Sequence, residues 1–295
     1  MKRYAALFTL LVLLLAGCGI EEVDITNMPP ATAAASAAPS LEPAATPEST
    51  PSETPLPDLP ADEMVKLVDI IPDIYTDLRY ATDDNFTGGV IYDSPEVYLR
   101  YSTVQKLARV QERLNTQGYS LCIWDGWRSV PAQFALWRAC PDPTYVANPF
   151  NGFSGHCRGN TVDITLVTLD GESVEMPTDF DDFSALADRD YSDVSAQAAE
   201  NARLLEREMQ AEGFTGYSAE WWHYTDSDGY DVCELLTEPE TLDIERDTQM
   251  YTDTNEISTV CGMALAGERV RVLDRVGDYL LIRGGAGYGY IKAQE

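Results

Sequence analysis

Only two histidines occur in the chain, His156 and His223, and both stand among polar and aromatic residues. The first lies in Ser154-Gly155-His156-Cys157-Arg158-Gly159-Asn160-Thr161-Val162-Asp163, the second in Glu220-Trp221-Trp222-His223-Tyr224. A catalytic zinc takes three protein ligands and keeps one position for water. Two imidazoles and one carboxylate meet that need, so His156, Asp163 and His223 are the candidate ligands. Gly155 and Gly159 lack a Cβ, so the turn between His156 and Asp163 can fold tightly and bring both side chains to one ion. Glu220, three residues before His223, can reach an activated water without being a ligand and take its proton as the water attacks a carbonyl. Taken singly, each histidine suits a structural hydrogen bond equally well, and Asp163 a turn or cap. Together the two motifs use every histidine in the chain, which favours the metal.

Such side chains need elements to hold them. The β-branched, apolar run 161–167 predicts a central strand. Leu121-Cys122-Ile123-Trp124 reads as a buried strand and Leu67-Val68-Asp69-Ile70-Ile71 as a short one. Residues 102–116 carry Val104, Leu107, Ala108 and Leu114 at helical spacing and stop at Gln117-Gly118. Ser129 reads as an N-cap, with Pro131 tolerated in the first turn of a helix reaching about Cys140. Residues 196–212 predict a second long helix, stopped by Gly213. Irregular alternation of helices and strands gives an α+β class for this part. Residues 263–293 differ. Arg269-Val270-Arg271-Val272-Leu273, Tyr279-Leu280-Leu281-Ile282 and Tyr288-Gly289-Tyr290-Ile291 are short strands punctuated by glycines, which predicts a separate small β-barrel.

The 295 residues allow one or two domains, and 44% hydrophobic residues suffice for a packed core. Forty-nine acidic against 20 basic residues give a net charge of −29, which repels phosphate backbones and excludes nucleic acid as a partner. Lys2 and Arg3 precede an apolar run, residues 4–17, that is short for a membrane span and laid out like a secretory signal. It ends Leu15-Ala16-Gly17-Cys18, which resembles a bacterial lipobox. That resemblance implies cleavage before Cys18, lipidation of Cys18 and a membrane-anchored protein facing outside the cytoplasm. An ordinary signal peptide with an incidental cysteine is the alternative. Residues 19–60 are rich in Ala, Pro, Ser and Thr and predict a disordered tether. Cys122, Cys140, Cys157, Cys233 and Cys261 are left, an odd number that cannot all pair internally.

Ser-x-His-x-x-Gly-x-x-x-Asp followed by Glu-x-Trp-His resembles the signature of the zinc D-Ala-D-Ala peptidases, within the wider hedgehog-like metallopeptidase fold. Glu220-Trp221-Trp222-His223-Tyr224 is similar to the dipeptidase branch, and residues 77–88 and Trp124-Asp125-Gly126-Trp127-Arg128 agree with it. The resemblance implies a zinc domain over residues 61–240 with a central antiparallel sheet. It places His156, Asp163 and His223 on the zinc ligands and Glu220 on the catalytic base. Arg128 falls on the residue that polarises the scissile carbonyl and stabilises the oxyanion. Ser154 corresponds to a contact with the substrate carboxylate. Tyr80 and Asp181 correspond to groups around its free ammonium, with Asp182 an alternative to Asp181 and Asn85 expected on the same wall. Residues 241–295 resemble bacterial SH3-like domains, which implies peptidoglycan as a possible second partner. The expected activity is zinc-dependent hydrolysis of D-Ala-D-Ala or related D-dipeptides outside the cytoplasm, in wall-peptide turnover. The alternatives are a D,D-carboxypeptidase trimming terminal D-Ala from peptidoglycan peptides and a non-catalytic wall-binding lipoprotein.

Overall fold

The computed structural model describes residues 57–293. The lipobox with Cys18, and the tether apart from its last residues, lie outside the described residues. In chain order the first elements are β1 (Met64–Lys66), α1 (Leu67–Ile70), β2 (Tyr75–Thr76), β3 (Tyr98–Arg100), α2 (Tyr101–Asn115), β4 (Tyr119–Asp125) and α3 (Val130–Ala139). They continue with β5 (Thr161–Thr168), α4 (Ala196–Ala211), β6 (Phe214–Gly216) and β7 (His223–Asp226). Then come β8 (Glu240–Asp243), β9 (Thr248–Tyr251), β10 (Val260–Ala264), β11 (Arg269–Val276), β12 (Tyr279–Gly284) and β13 (Gly287–Lys292).

The first main sheet has the order β2-β4-β5-β7-β6. The three pairings among β4, β5, β7 and β6 follow the antiparallel expectation, but β2 joins β4 in parallel at the edge. Strand β5 is buried through Val167, which suits its β-branched composition and central place. Helical spacing aligns Val104, Leu107 and Leu114 of α2, and Leu205 and Met209 of α4, in one core with Leu121, Ile123, Ile164 and Leu166 of β4 and β5. Side chains alternate across a strand, so Asp163 and Thr165 point to the other face, away from Ile164 and Leu166. The ends of α4 are set as its sequence requires. Ser195 Oγ accepts from Ala198 N–H, and Gly213 follows in the left-handed region at φ 85°.

Residues 67–71 are a single helical turn rather than the expected strand. Ile71 N–H closes an i→i−4 bond of 2.9 Å to Leu67 O, and Leu67 and Ile71 are both buried. A short apolar run fits either structure. Here the strand pairing is taken by β1, which lies against β3.

The all-β C-terminal region is present as one six-stranded antiparallel sheet of order β10-β9-β13-β12-β11-β8. Its pairing leaves β10 and β8 as edges among the described strands, so the expected closed SH3-like barrel is not what this order makes. The physical reason lies in its two apolar faces. One face gathers Ile244, Met250, Val270, Leu280 and Ile282 into a core of its own. The other presents Leu273, Leu281 and Tyr290 to Val130 and Phe134 of α3. Helix α3 is thus enclosed by both parts of the chain: Leu136 packs with Tyr80 and Val146 on the opposite side. The described residues belong to one compact unit. All five described cysteines are free thiols, with Cys122 and Cys157 buried. No helix among the described residues is long and apolar enough to cross a membrane.

Candidate active site

Strand register brings the polar groups together. Across the central sheet Asp163 of β5 stands opposite His223 of β7 and, on its other side, opposite Asp125 of β4. Directly opposed residues have Cβ atoms about 5 Å apart, so pairing alone delivers His223 to Asp163. A one-residue slip would turn either side chain to the helical face. His156 arrives from the 3₁₀ turn Gly155–Arg158, capped by Ser154 Oγ accepting from His156 N–H at 3.3 Å. That turn needs Gly155 because a Cβ there would meet Thr161 Oγ1 at 2.3 Å.

One ligand atom from each of His156, Asp163 and His223 lies within 4.8 Å of the others. His156 Nε2 is 3.3 Å from Asp163 Oδ2, and His223 Nδ1 is 3.0 Å from Asp163 Oδ1. His156 Nδ1 lies 2.8 Å from the Gly126 carbonyl, which can only accept. In the neutral ring the proton therefore sits on Nδ1, and Nε2 turns its lone pair toward a carboxylate. Two electron-rich atoms face each other at that distance only across a cation or a proton. Burial opposes protonation of His156, yet the Asp163 and Asp125 carboxylates outweigh it and raise its pKa. The donor set and its electrostatics fit a metal cation.

These residues open on a cavity of about 240 Å³, lined also by Tyr80, Arg128, Ser154, Asp181, Tyr217 and Glu220. Glu220 Oε2 lies 3.6 Å from His223 Nδ1. Burial, then the charge of Asp163, push the Glu220 carboxyl up to about 7. Across the cavity Tyr80 OH donates to Asp181 Oδ2 at 2.8 Å. Burial pushes Asp181 up to about 7 as well. Its backbone adopts φ 55°, an unusual conformation for a residue with a side chain. Asp182 instead accepts from Ser184 N–H and does not line this cavity. Asn85 also stands apart. Its amide donates to the carbonyls of Arg79, Thr82 and Gly89, and its oxygen accepts from Thr87, so it ties together the loop after Tyr80. Trp221 and Trp222 are buried in the core.

Arg128 is held from three sides. Nη2 donates to Asp125 Oδ2 at 2.7 Å, Nη1 to Gln133 Oε1 at 3.1 Å and Nε to Tyr92 OH at 3.3 Å. Tyr92 in turn donates to Asp125 Oδ1 at 2.6 Å. Burial works against the guanidinium charge, but Asp125 more than restores it. A guanidinium has five N–H donors, so two remain for a molecule in the cavity.

A family model described as D-ala-D-ala dipeptidase matches residues 60–236. Three proteins named D-alanyl-D-alanine dipeptidase align with the chain. The one from Escherichia coli (strain K12) is 37% identical over 162 residues, 55% of this chain and 83% of that protein. The one from Enterococcus faecium is 34% identical over 178 residues, 54% of this chain and 88% of the relative. The one from Streptomyces coelicolor is 35% identical over 181 residues, 53% of this chain and 88% of the relative. The chain belongs to the D-Ala-D-Ala dipeptidase family. It is an enzyme of the metallopeptidase class.

The dipeptidase match ends at residue 236, so the six-stranded C-terminal sheet lies beyond it. Within the dipeptidase part, sequence reasoning missed three residues that hold Arg128: Asp125, Gln133 and Tyr92. Asp125 was visible in principle, three residues before Arg128 in Trp124-Asp125-Gly126-Trp127-Arg128. Gln133 was concealed among the apolar residues of the first half of α3. Tyr92 carries no local signal at all, because only the loop fold brings it near. Cys157, beside His156 in sequence, turns its thiol 3.8 Å from Gln133 Oε1 rather than into the metal group.

Proposed function

We propose that this chain is a zinc-dependent dipeptidase that hydrolyses D-Ala-D-Ala or closely related D-dipeptides. The observation that carries the reading is the convergence of a His-Asp-His group, a carboxylate and a buried guanidinium on one cavity of about 240 Å³. That space is below the range of roughly 300 Å³ upward typical of drug-sized ligands, and it suits a dipeptide. His156, Asp163 and His223 hold the zinc. Zinc bound there supplies Lewis acidity and makes water acidic enough to act as a nucleophile near neutral pH. Glu220 takes the proton of the attacking water at a carboxylate oxygen and returns it to the leaving amine. The two free N–H groups of Arg128 bind the carbonyl oxygen as it becomes an oxyanion. Asp181, steadied by Tyr80, pairs with the free ammonium, and Ser154 meets the carboxylate at the other end. Asn85 shapes the loop that carries Tyr80.

The test is turnover of D-Ala-D-Ala by purified protein, before and after chelation. Chelator is expected to remove activity and zinc to restore it. N-acetyl-D-Ala-D-Ala, which lacks the ammonium, is expected to react about a hundredfold more slowly, because it leaves Asp181 unpaired. Faster turnover of the capped substrate would make the protein a D,D-carboxypeptidase. Zinc-loaded protein with no turnover, still sedimenting with peptidoglycan, would make it a wall-binding protein.

Replacing Asp181 with Asn isolates the ammonium contact. A hydrogen bond to a charged group contributes about 1.5–3 kcal/mol. Asp181→Asn is therefore expected to raise KM for D-Ala-D-Ala by about ten- to a hundredfold with a smaller change in kcat. An unchanged KM would remove Asp181 from substrate recognition. Action outside the cytoplasm rests on the Leu15-Ala16-Gly17-Cys18 motif alone, and peptidoglycan as a second partner on the sequence resemblance of the C-terminal strands.

A further inference from the structure

The segment 230–235, just past β7, holds both loops of the site from behind. Trp127 Nε1 donates to Cys233 O at 2.9 Å and Val130 N–H to Glu234 O at 3.1 Å, one on each side of Arg128. On the other loop Cys233 N–H donates to Cys157 O at 2.8 Å, and Arg158 Nη1 to Tyr230 O at 2.7 Å. The two loops also join directly, through Arg128 N–H to His156 O at 3.2 Å.

What fixes this segment is the C-terminal sheet. The Glu234 side chain is almost wholly buried and takes a partner from each of three consecutive strands. Arg283 Nη1 of β12 and Tyr288 OH of β13 both donate to Oε1 at 2.5 Å. Arg271 Nη1 of β11 lies 2.8 Å from Oε2 as an ion pair. One carboxylate thus fastens the backbone that brackets Arg128 to a sheet outside the family match. Charged hydrogen bonds are short and directional, so the fastening sets position as well as adhesion.

We propose that Glu234 is a positioning residue. By tying segment 230–235 to strands β11–β13, it sets the Trp127–Val130 loop and hence the aim of the Arg128 guanidinium. This rests on the reading of Arg128 as the cation that meets the oxyanion. Displacing a group that acts in the transition state lowers kcat more than it raises KM. Misplacement on the scale of 1 Å can cost about a hundredfold, so loss of one anchor is expected to cost about tenfold.

The experiment compares Glu234→Gln and Tyr288→Phe in the full-length protein with D-Ala-D-Ala as substrate. It reads kcat, KM, bound zinc and the thermal midpoint. Glu234→Gln is expected to lower kcat per zinc-loaded molecule about tenfold with KM within about twofold, and Tyr288→Phe to move kcat in the same direction by less. Arg269→Ala, which breaks only the exposed pair with Asp243 on the same sheet, is the control with unchanged kcat. If Glu234→Gln does not fold, Tyr288→Phe decides alone. Variants that melt earlier but keep full kcat per bound zinc would show a purely structural tie and overturn the proposal. Arg128→Ala separates the two claims. If it stays active, the reading of Arg128 fails; if it is inactive while both anchor variants keep kcat, only the positioning role fails.

Discussion

Glu220→Gln is expected to leave a folded, zinc-loaded protein whose kcat for D-Ala-D-Ala is lower by about a thousandfold, within the range for loss of a general base. The substitution keeps the side-chain shape and removes only the capacity to take a proton. Glu220 is not one of the three groups that converge as candidate ligands, so metal content is expected to stay level. Its neighbour His223, 3.6 Å away, is held by strand pairing to Asp163 rather than by Glu220. Steady-state kinetics alongside zinc analysis on one preparation measure both quantities. A variant with wild-type kcat would remove Glu220 from proton transfer; one that loses zinc would make it a ligand.

The second large effect is expected at Arg128. Arg128→Lys keeps a cation beside the fully buried Asp125 but loses the planar fork that serves Asp125, Gln133, Tyr92 and the cavity together. The kcat is expected to fall about a hundredfold or more with KM little changed, as for loss of an oxyanion donor. Arg128→Ala adds a stability cost of about 3–5 kcal/mol, because Asp125 is then left as an unpaired buried charge. Lysine is therefore the sharper probe of chemistry, and denaturant unfolding of the alanine variant reads the structural part. Wild-type kcat in the lysine variant would mean that the planar donors have no share in the transition state.

The meeting of His156, Asp163 and His223 was legible in the sequence for a definite reason. His156 and Asp163 are joined by a glycine-bearing turn that leads straight into β5, and the β-branched run beyond it leaves few alternatives to a strand. The helices α2, α3 and α4 were legible from apolar spacing and from Ser129, Gly118 and Gly213 at their ends, whereas the Ser195 cap of α4 went unread. What stayed hidden depends on long-range pairing. Nothing local distinguishes Leu67–Ile70 as a helical turn, since the competing strand role is decided by β1 meeting β3. Asp125 opposes Asp163 only across a β-bulge, and Tyr92 reaches Arg128 only through a loop. The run Tyr279-Leu280-Leu281-Ile282 announced a short strand. It did not reveal that its two faces serve different cores, which is why the region packs on α3 rather than closing on itself.

Helix α3 has no exposed residue from Val130 to Arg138. One of its flanks is covered by Leu273, Leu281 and Tyr290, which lie far downstream in the chain on β11, β12 and β13. Without them, Phe134 keeps Phe150 and Phe153 but loses Tyr290, and the loop bearing Arg128 lacks its backing. The dipeptidase part is thus completed by strands that lie beyond the family match. A product truncated before β11 would expose this apolar flank of α3 to chaperones and proteases.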